Sequence, residues 1–208
     1  MKLLILGATG NTGKELVTQA FEQNHEITVL VRDSSKLRVP HEKLNVIIGS
    51  VLDKAVLTKA LEGTDAVISA LGVGNSLKSN NLISNAVSTL IPAMSATGVK
   101  RVIFLSAFGV GETFKQASLI QKIAFRLFLK DLYADKTKAD EQLRSSNLDW
   151  TLVFPAKLTN GPRTGKYTVG EKLKMKGFPS ISRADVADFM LKQLADKSFM
   201  RKEVILMD

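Results

Sequence analysis

The seven residues Gly7-Ala8-Thr9-Gly10-Asn11-Thr12-Gly13 constrain the fold more than any other part of the chain. They follow directly on the apolar run Leu3-Leu4-Ile5-Leu6, which has the character of a buried strand. They lead straight into Thr12–Gln23, where Leu16, Val17 and Ala20 mark one face of a helix. Strand, glycine-rich turn and helix in that order is the sequence form of a dinucleotide-binding unit. Gly7 permits the tight turn, Gly10 lets backbone approach a pyrophosphate, and Gly13 lets the helix pack close on the strand. The helix N-terminus then offers N–H groups and the positive end of its dipole to the phosphates. A purely structural turn is the competing reading, and the context on both sides of the motif argues against it.

The rest of the chain alternates in the same way. Strands are expected at Glu26–Val31, Val46–Ile48, Ala66–Ala70, Arg101–Leu105, Trp150–Phe154 and Glu203–Leu206. Helices are expected at Lys54–Leu61, Ser79–Thr97, Ala117–Leu132, Ala134–Ser146 and Arg183–Ala195. Pro92 should bend the second of these helices, Gly98 should end it, and Ser182 with Asp185 should open the last. This order predicts an α/β fold, doubly wound, with a mostly parallel sheet, helices on both faces and right-handed crossovers. The expected organisation is a single nucleotide-binding domain over residues 1–208. Within it, residues 156–182 carry four Gly and two Pro and read as a loop or small lobe covering the substrate side.

Composition narrows the chemistry. There is no Cys, so disulfides, thiolate metal sites and Cys nucleophiles are excluded. Only His25 and His41 are present, which leaves no basis for a His-rich metal site, and both sit too near early loops to suit a Ser-His triad. Lys and Arg number 29 against 20 Asp and Glu, a formal charge of +9 that favours anionic partners or is simply a basic surface. No block of five basic residues occurs, and Tyr and Trp total three, so a nucleic-acid surface is not expected. The first apolar run is too short for a signal peptide or a membrane span, which points to the cytosol.

The second strand ends in Val31-Arg32-Asp33-Ser34-Ser35-Lys36. Arg32 suits the 2′-phosphate of NADP, with Ser35 and Lys36 completing the pocket. Asp33, one residue late, is the feature that would favour NAD, and a solvated basic turn is the bland alternative.

With these residues in view, Gly7-Ala-Thr-Gly-x-Thr-Gly13 resembles the atypical short-chain dehydrogenase/reductase family, with its NmrA-like and NAD(P)H-binding members. Ile27–Leu37, Leu105-Ser-Ala-Phe108 and Phe154–Val169 are most similar to its biliverdin-IXβ reductase/flavin reductase branch. The resemblance implies a Rossmann-like fold and NADPH as cofactor, held by Gly7, Thr9, Gly10, Asn11, Thr12, Gly13, Arg32, Ser35 and Lys36. It also implies Val51 near the adenine, Leu71 and Gly72 on the ribose-nicotinamide side, and Pro155 and Leu158 as further cofactor-binding positions. Ser106, Lys136 and Lys157 are the implied catalytic positions. A flavin is implied as substrate rather than as a bound cofactor, in a monomer or weak homodimer.

Three departures from the family bear on the reaction. Ser50 stands where an acidic residue flanks the adenine, which leaves Val51 or Asp53 for that contact. Lys157 stands where the branch tends to have His, and would either pair with an anionic acceptor or simply be exposed. Leu132 stands where carbonyl-reducing relatives carry a Tyr four residues before the Lys, and Tyr133 is turned about 100° from it on a helix. Carbonyl reduction needs an acid for the alkoxide, whereas a flavin or linear tetrapyrrole spreads the added electrons and takes its proton from solvent. Residues Leu119–Leu132 are strongly apolar with Lys122, Arg126 and Lys130 at helical spacing, which fits a core helix, a membrane- or partner-facing surface, or an acceptor-pocket wall.

The leading expectation is therefore an NADPH-dependent oxidoreductase passing a hydride to a flavin or linear tetrapyrrole. The alternative is a non-catalytic NADP(H)-binding regulator of NmrA-like type, which turnover would separate from the first. A nucleotide-sugar isomerase or epimerase is the weaker third.

Overall fold

A computed structural model describes residues 1–37, 44–74, 76, 78–116, 129–173 and 177–208. The main sheet is built from β1 (Lys2–Leu6), β2 (Glu26–Val31), β3 (Leu44–Ile48), β4 (Ala66–Ser69), β5 (Arg101–Leu105), β6 (Asp149–Pro155), β8 (Thr168–Gly170) and β10 (Lys202–Met207). Their order is β3-β2-β1-β4-β5-β6-β10-β8. Every neighbouring pair is parallel except β10 with β8. The chain winds outward from β1 in both directions, which is the doubly wound, Rossmann-like order expected.

A parallel sheet covered on both faces needs strands apolar on both faces. β1 meets this: Leu4 and Leu6 belong to one core cluster, Leu3 and Ile5 to the other. The first cluster packs under α2 (Lys54–Leu61), α3 (Leu82–Thr97) and α5 (Lys130–Arg144). The second packs under α1 (Asn11–Glu22) and α6 (Arg183–Lys192). A short α4 (Thr113–Gln116) follows β5. Gln19 on α1 donates to the Ala184 carbonyl at 2.9 Å and locks α1 to α6. No helix of the described residues is long and apolar enough to cross a membrane.

Several element ends differ from expectation for local reasons. α3 starts at Leu82 rather than Ser79, because Asn80 and Asn81 take left-handed conformations, φ 51° and 55°. It then runs through Pro92 to Gly98. α5 starts at Lys130, where Tyr133 N–H closes the first turn on the Leu129 carbonyl at 2.8 Å, rather than at Ala134. Most of the expected apolar helix, residues 117–128, lies outside the described residues, as does His41. Residues 156–182 carry three short strands. β7 (Lys157–Thr159) pairs with β9 (Ser180–Ser182), and β8 joins the edge of the main sheet on β10.

Two backbone contacts fix the first turn. Gly7 has φ 81°, and a Cβ on it would lie 2.5 Å from the Ala70 carbonyl oxygen at the end of β4. A Cβ on Gly13 would run into the Gly7 carbonyl oxygen itself. The start of α3 is held differently. Asp135 of α5 accepts from the N–H groups of Ile83 and Ser84, each at 2.9 Å, and Asp131 accepts from Ser79 N–H at 2.6 Å. Burial alone would raise the Asp135 pKa, but the hydrogen bonds from Ser84, Ile83 and Ser79 outweigh it and hold the carboxyl below its usual value.

Gly13→Ala should therefore cost at least about 2 kcal/mol, since backbone must move to admit the methyl. Its thermal midpoint should fall by roughly 4–8 °C by calorimetry. Asp135→Asn should lose about 1–3 kcal/mol at neutral pH, because its amide presents a donor to a donor. The stability supplied by a depressed carboxyl is present above its unfolded pKa and fades as pH drops through the folded one. The gap between wild type and Asp135→Asn should thus narrow only below about pH 4 in denaturant titrations.

Candidate functional site

Parallel strands bring the C-terminal ends of β1, β2, β4, β5 and β6 to one edge of the sheet. Every residue expected in the site follows or ends one of these strands or β3, or lies on α1, α5 or β7.

At the turn after β1, α1 has Gly10 as its cap residue, no side-chain cap and no acidic residue in its first turn. The first helical hydrogen bond runs from Lys14 N–H to the Gly10 carbonyl at 2.9 Å. The N–H groups of Asn11, Thr12 and Gly13 are left without helical acceptors. Thr9 is half-buried, Thr12 buried and Asn11 exposed beside them. Three unspent donors at a positive dipole end, with bare glycine backbone around them, fit a diphosphate.

Just beyond β2, Arg32 is exposed and makes no ion pair among the described residues. Ser35 and Lys36, by contrast, face Asp33. Its carboxylate accepts from the Ser35 hydroxyl at 2.7 Å and the Ser35 N–H at 3.0 Å, and pairs with Lys36 at 3.8 Å. The Ser35 bonds, with Lys36 adding a smaller pull, hold Asp33 below the usual carboxylate pKa. Val51 is half-buried against the core. Asp53 caps α2 through Ala55 and Val56 N–H at 2.9 and 3.2 Å, so its carboxylate is already engaged.

Toward the centre, Leu71 packs on the core and Gly72 is exposed, opening the loop that Asp131 and Asp135 anchor. Ser106, one residue beyond β5, is 3% exposed. Its N–H bonds the Val153 carbonyl at 2.8 Å, and its hydroxyl donates to Asp140 Oδ2 at 2.7 Å. Lys136 sits one turn before Asp140 on α5, and its Nζ donates to the Leu105 carbonyl at 3.0 Å. Asp140 is fully buried, and its Oδ1 has no hydrogen-bond partner. Burial pushes the Asp140 carboxyl up to about 7 despite Ser106, Lys136 and Arg144, and burial likewise lowers Lys136. Arg144 is drawn off by Glu203 of β10 at 2.5 Å.

Asp140 is the polar residue at this end that sequence reasoning missed. The available signal was its spacing: Lys136 and Asp140 lie four apart on α5, on the side that also carries Ala139 and Leu143 into the core.

Leu132 is partly buried against the core. The Tyr133 hydroxyl donates to the Phe108 carbonyl at 3.0 Å, and burial pushes its phenol up to about 12. A hollow of about 280 Å³ beyond β5 is lined by Gly109, Phe114, Lys130, Tyr133 and Thr137 among others.

On the far side, Pro155 ends β6 and its carbonyl accepts from Phe108 N–H at 3.1 Å. Lys157 is exposed and Leu158 half-buried in the second core cluster. Asp185, near the start of α6, accepts from Thr164 N–H and Gly165 N–H at 2.8 Å each, from the Thr164 hydroxyl at 3.0 Å and from the Ser182 hydroxyl at 2.8 Å. The expected Ser182 cap is present and accepts from Asp185 N–H at 2.9 Å. No group of His, Asp and Glu that would hold a metal occurs among the described residues.

Known proteins resemble this chain along most of its length. It is 29% identical to a Bacillus subtilis protein named "Uncharacterized sugar epimerase YhfK", over 95% of this chain and 90% of that one. It is 26% identical to the photosystem II assembly factor Ycf39 of Synechocystis, over 97% of this chain but 61% of the relative. The crystal structure of the oxidoreductase ylbE from Lactococcus lactis superposes with a TM-score of 0.84 at 25% identity, covering 100% of this chain and 91% of that one. These names point to three different roles. The profile of the family described as NAD(P)H-binding matches residues 7–197, and the chain belongs to that NAD(P)H-binding family.

Proposed function

We propose that the protein is an NADPH-dependent reductase that passes a hydride to a conjugated acceptor of the flavin or linear-tetrapyrrole kind. The observation that carries this reading is the absence of a usable phenol beside Lys136. Leu132 occupies that place, and the Tyr133 proton is committed to the Phe108 carbonyl. Reduction of an isolated carbonyl leaves an alkoxide that needs an acid, whereas a conjugated acceptor distributes the charge and takes its proton from water.

NADPH, when bound, supplies the hydride. The chain's own part is binding, orientation and exclusion of water. Asn11, Thr12 and Gly13 N–H groups would hold the diphosphate, and Gly7, Thr9 and Gly10 would shape the turn around it. Arg32 would meet the 2′-phosphate; Ser35 and Lys36 would join it by exchanging Asp33 for the phosphate, with Val51 beside the adenine. Leu71, Gly72, Pro155 and Leu158 would flank the nicotinamide end, with Ser106 and Lys136 behind it. Lys157, exposed at the mouth, would pair with a flavin phosphate or a tetrapyrrole propionate. The oxidoreductase likeness supports this reading.

The Ycf39 likeness favours a second reading, an NADP(H)-binding protein that senses the nucleotide for a partner.

Arg32→Ala should weaken NADPH by about 1.5–3 kcal/mol and leave NADH nearly untouched, as read by calorimetric titration of both nucleotides. Equal losses for the two would remove the 2′-phosphate from Arg32. NADPH oxidation, followed at the nicotinamide absorbance with FMN, FAD, riboflavin and biliverdin in turn, should show turnover with at least one acceptor. Tight NADPH binding with no turnover on any of them would replace the reductase with the sensor.

A further inference from the structure

We propose that Asp140 is a positioning residue: it sets whether Ser106 presents a hydrogen-bond donor or only lone pairs to the ligand at the C-terminal edge of the sheet. The identity of that ligand rests on the reductase reading, while the pairing of Asp140 with Ser106 does not.

Only one proton lies between the two oxygens of the 2.7 Å contact. With Asp140 ionised, the Ser106 hydroxyl must donate inward, since a carboxylate accepts and cannot donate. Ser106 then offers an arriving ligand nothing but acceptor lone pairs. With Asp140 protonated, the acid donates to Ser106 Oγ, and the hydroxyl hydrogen is released to point at the ligand. Both states keep the same heavy-atom positions, so the switch needs no movement of α5 or β5.

The surroundings let both states exist. Asp140 is fully buried and its Oδ1 is unpartnered, which penalises the charged form. Lys136 lies one turn away on α5, yet its Nζ is bonded to the Leu105 carbonyl rather than to Asp140. Arg144 is paired with Glu203 of β10. Asp135 of α5 is occupied by the start of α3. α3, which packs along α5, has no titratable side chain within Leu82–Thr97. β6 brings Asp149, at its far end and paired with Arg201. Ser106 is thus the one side chain that hydrogen-bonds Asp140 among the described residues. Burial places the carboxyl's titration near neutrality, where both states are populated.

The test uses the whole protein without nucleotide. Aspartate carrying ¹³C at the side-chain carboxyl is incorporated, and the carbon resonances are followed by NMR against pH. One carboxyl should titrate at least about 2 pH units above the ordinary aspartate range. Asp140→Asn should remove that signal, and Ser106→Ala should move it upward by about 1 unit, because the ionised form loses its donor. Absence of any such high-titrating carboxyl, its survival in Asp140→Asn, or an unmoved midpoint in Ser106→Ala would each overturn the proposal. A second readout follows the ligand. If turnover is found, its kcat against pH should lose the inflection near the carboxyl's midpoint in Asp140→Asn, with NADPH affinity unchanged, and an unaltered profile would overturn the link to the ligand. If no acceptor turns over, the reductase reading fails, and the carboxyl titration still decides the pairing.

Discussion

The first turn is held backbone on backbone: Gly13 at the start of α1 lies against the Gly7 carbonyl, and Gly7 in turn lies against Ala70, with no room for a Cβ at either glycine. Two strands and a helix meet there with no side chain between them. Any Cβ would push α1 away from β1 or β1 away from β4, at the point where the sheet reverses its winding. The position of the α1 N-terminus and the packing of the sheet are therefore set by the same contact. α1 has no side-chain cap because its cap residue is Gly10, and the close packing on β1 keeps its first N–H groups and its positive dipole end beside the strand ends.

A second organising element is α5. Along one helix, Asp131 and Asp135 hold the loop after β4 and the start of α3, Lys136 holds the last carbonyl of β5, and Asp140 holds the hydroxyl just beyond it. The two buried carboxylates, Asp135 and Asp140, have different fates because their partners differ. Asp135 receives two backbone donors and stays ionised against burial, while Asp140 receives one hydroxyl and is driven toward neutrality. One helix thereby fixes the chain just beyond β4 and just beyond β5 at the C-terminal edge of the sheet.

Much of this was legible in the sequence. The alternation of apolar runs with helical stretches predicts the doubly wound, mostly parallel sheet, and the glycine spacing predicts the tight strand-turn-helix junction, because close backbone approach leaves glycine no substitute. Strand and helix ends were less readable. Asn tolerates the left-handed region, but nothing local says that Asn80 and Asn81 would both adopt it, or that two carboxylates about fifty residues on would hold the backbone on either side of them. The expected roles of Ser35 and Lys36 ran ahead of what sequence shows, because Asp33 competes for both and only the turn's geometry reveals it. Asp140 escaped because a charged residue on a helix is ordinarily solvated, and its burial depends on how α5 lies across β5. The short strands in residues 156–182 escaped for a related reason: three residues are too few to show a period, and β8 exists only because β10 offers it an edge.

The loop around Thr164 and Gly165 has attachments on both helices of its face. Asp185 gathers it to α6, and Arg163 reaches Glu22 on α1 at 2.9 Å. Those two helices are themselves joined through Gln19 and Ala184. α1 and the Thr164–Gly165 loop are therefore tied to one another twice, directly and by way of α6. A substitution that displaces α1 from the strand it follows would be felt at that loop as well.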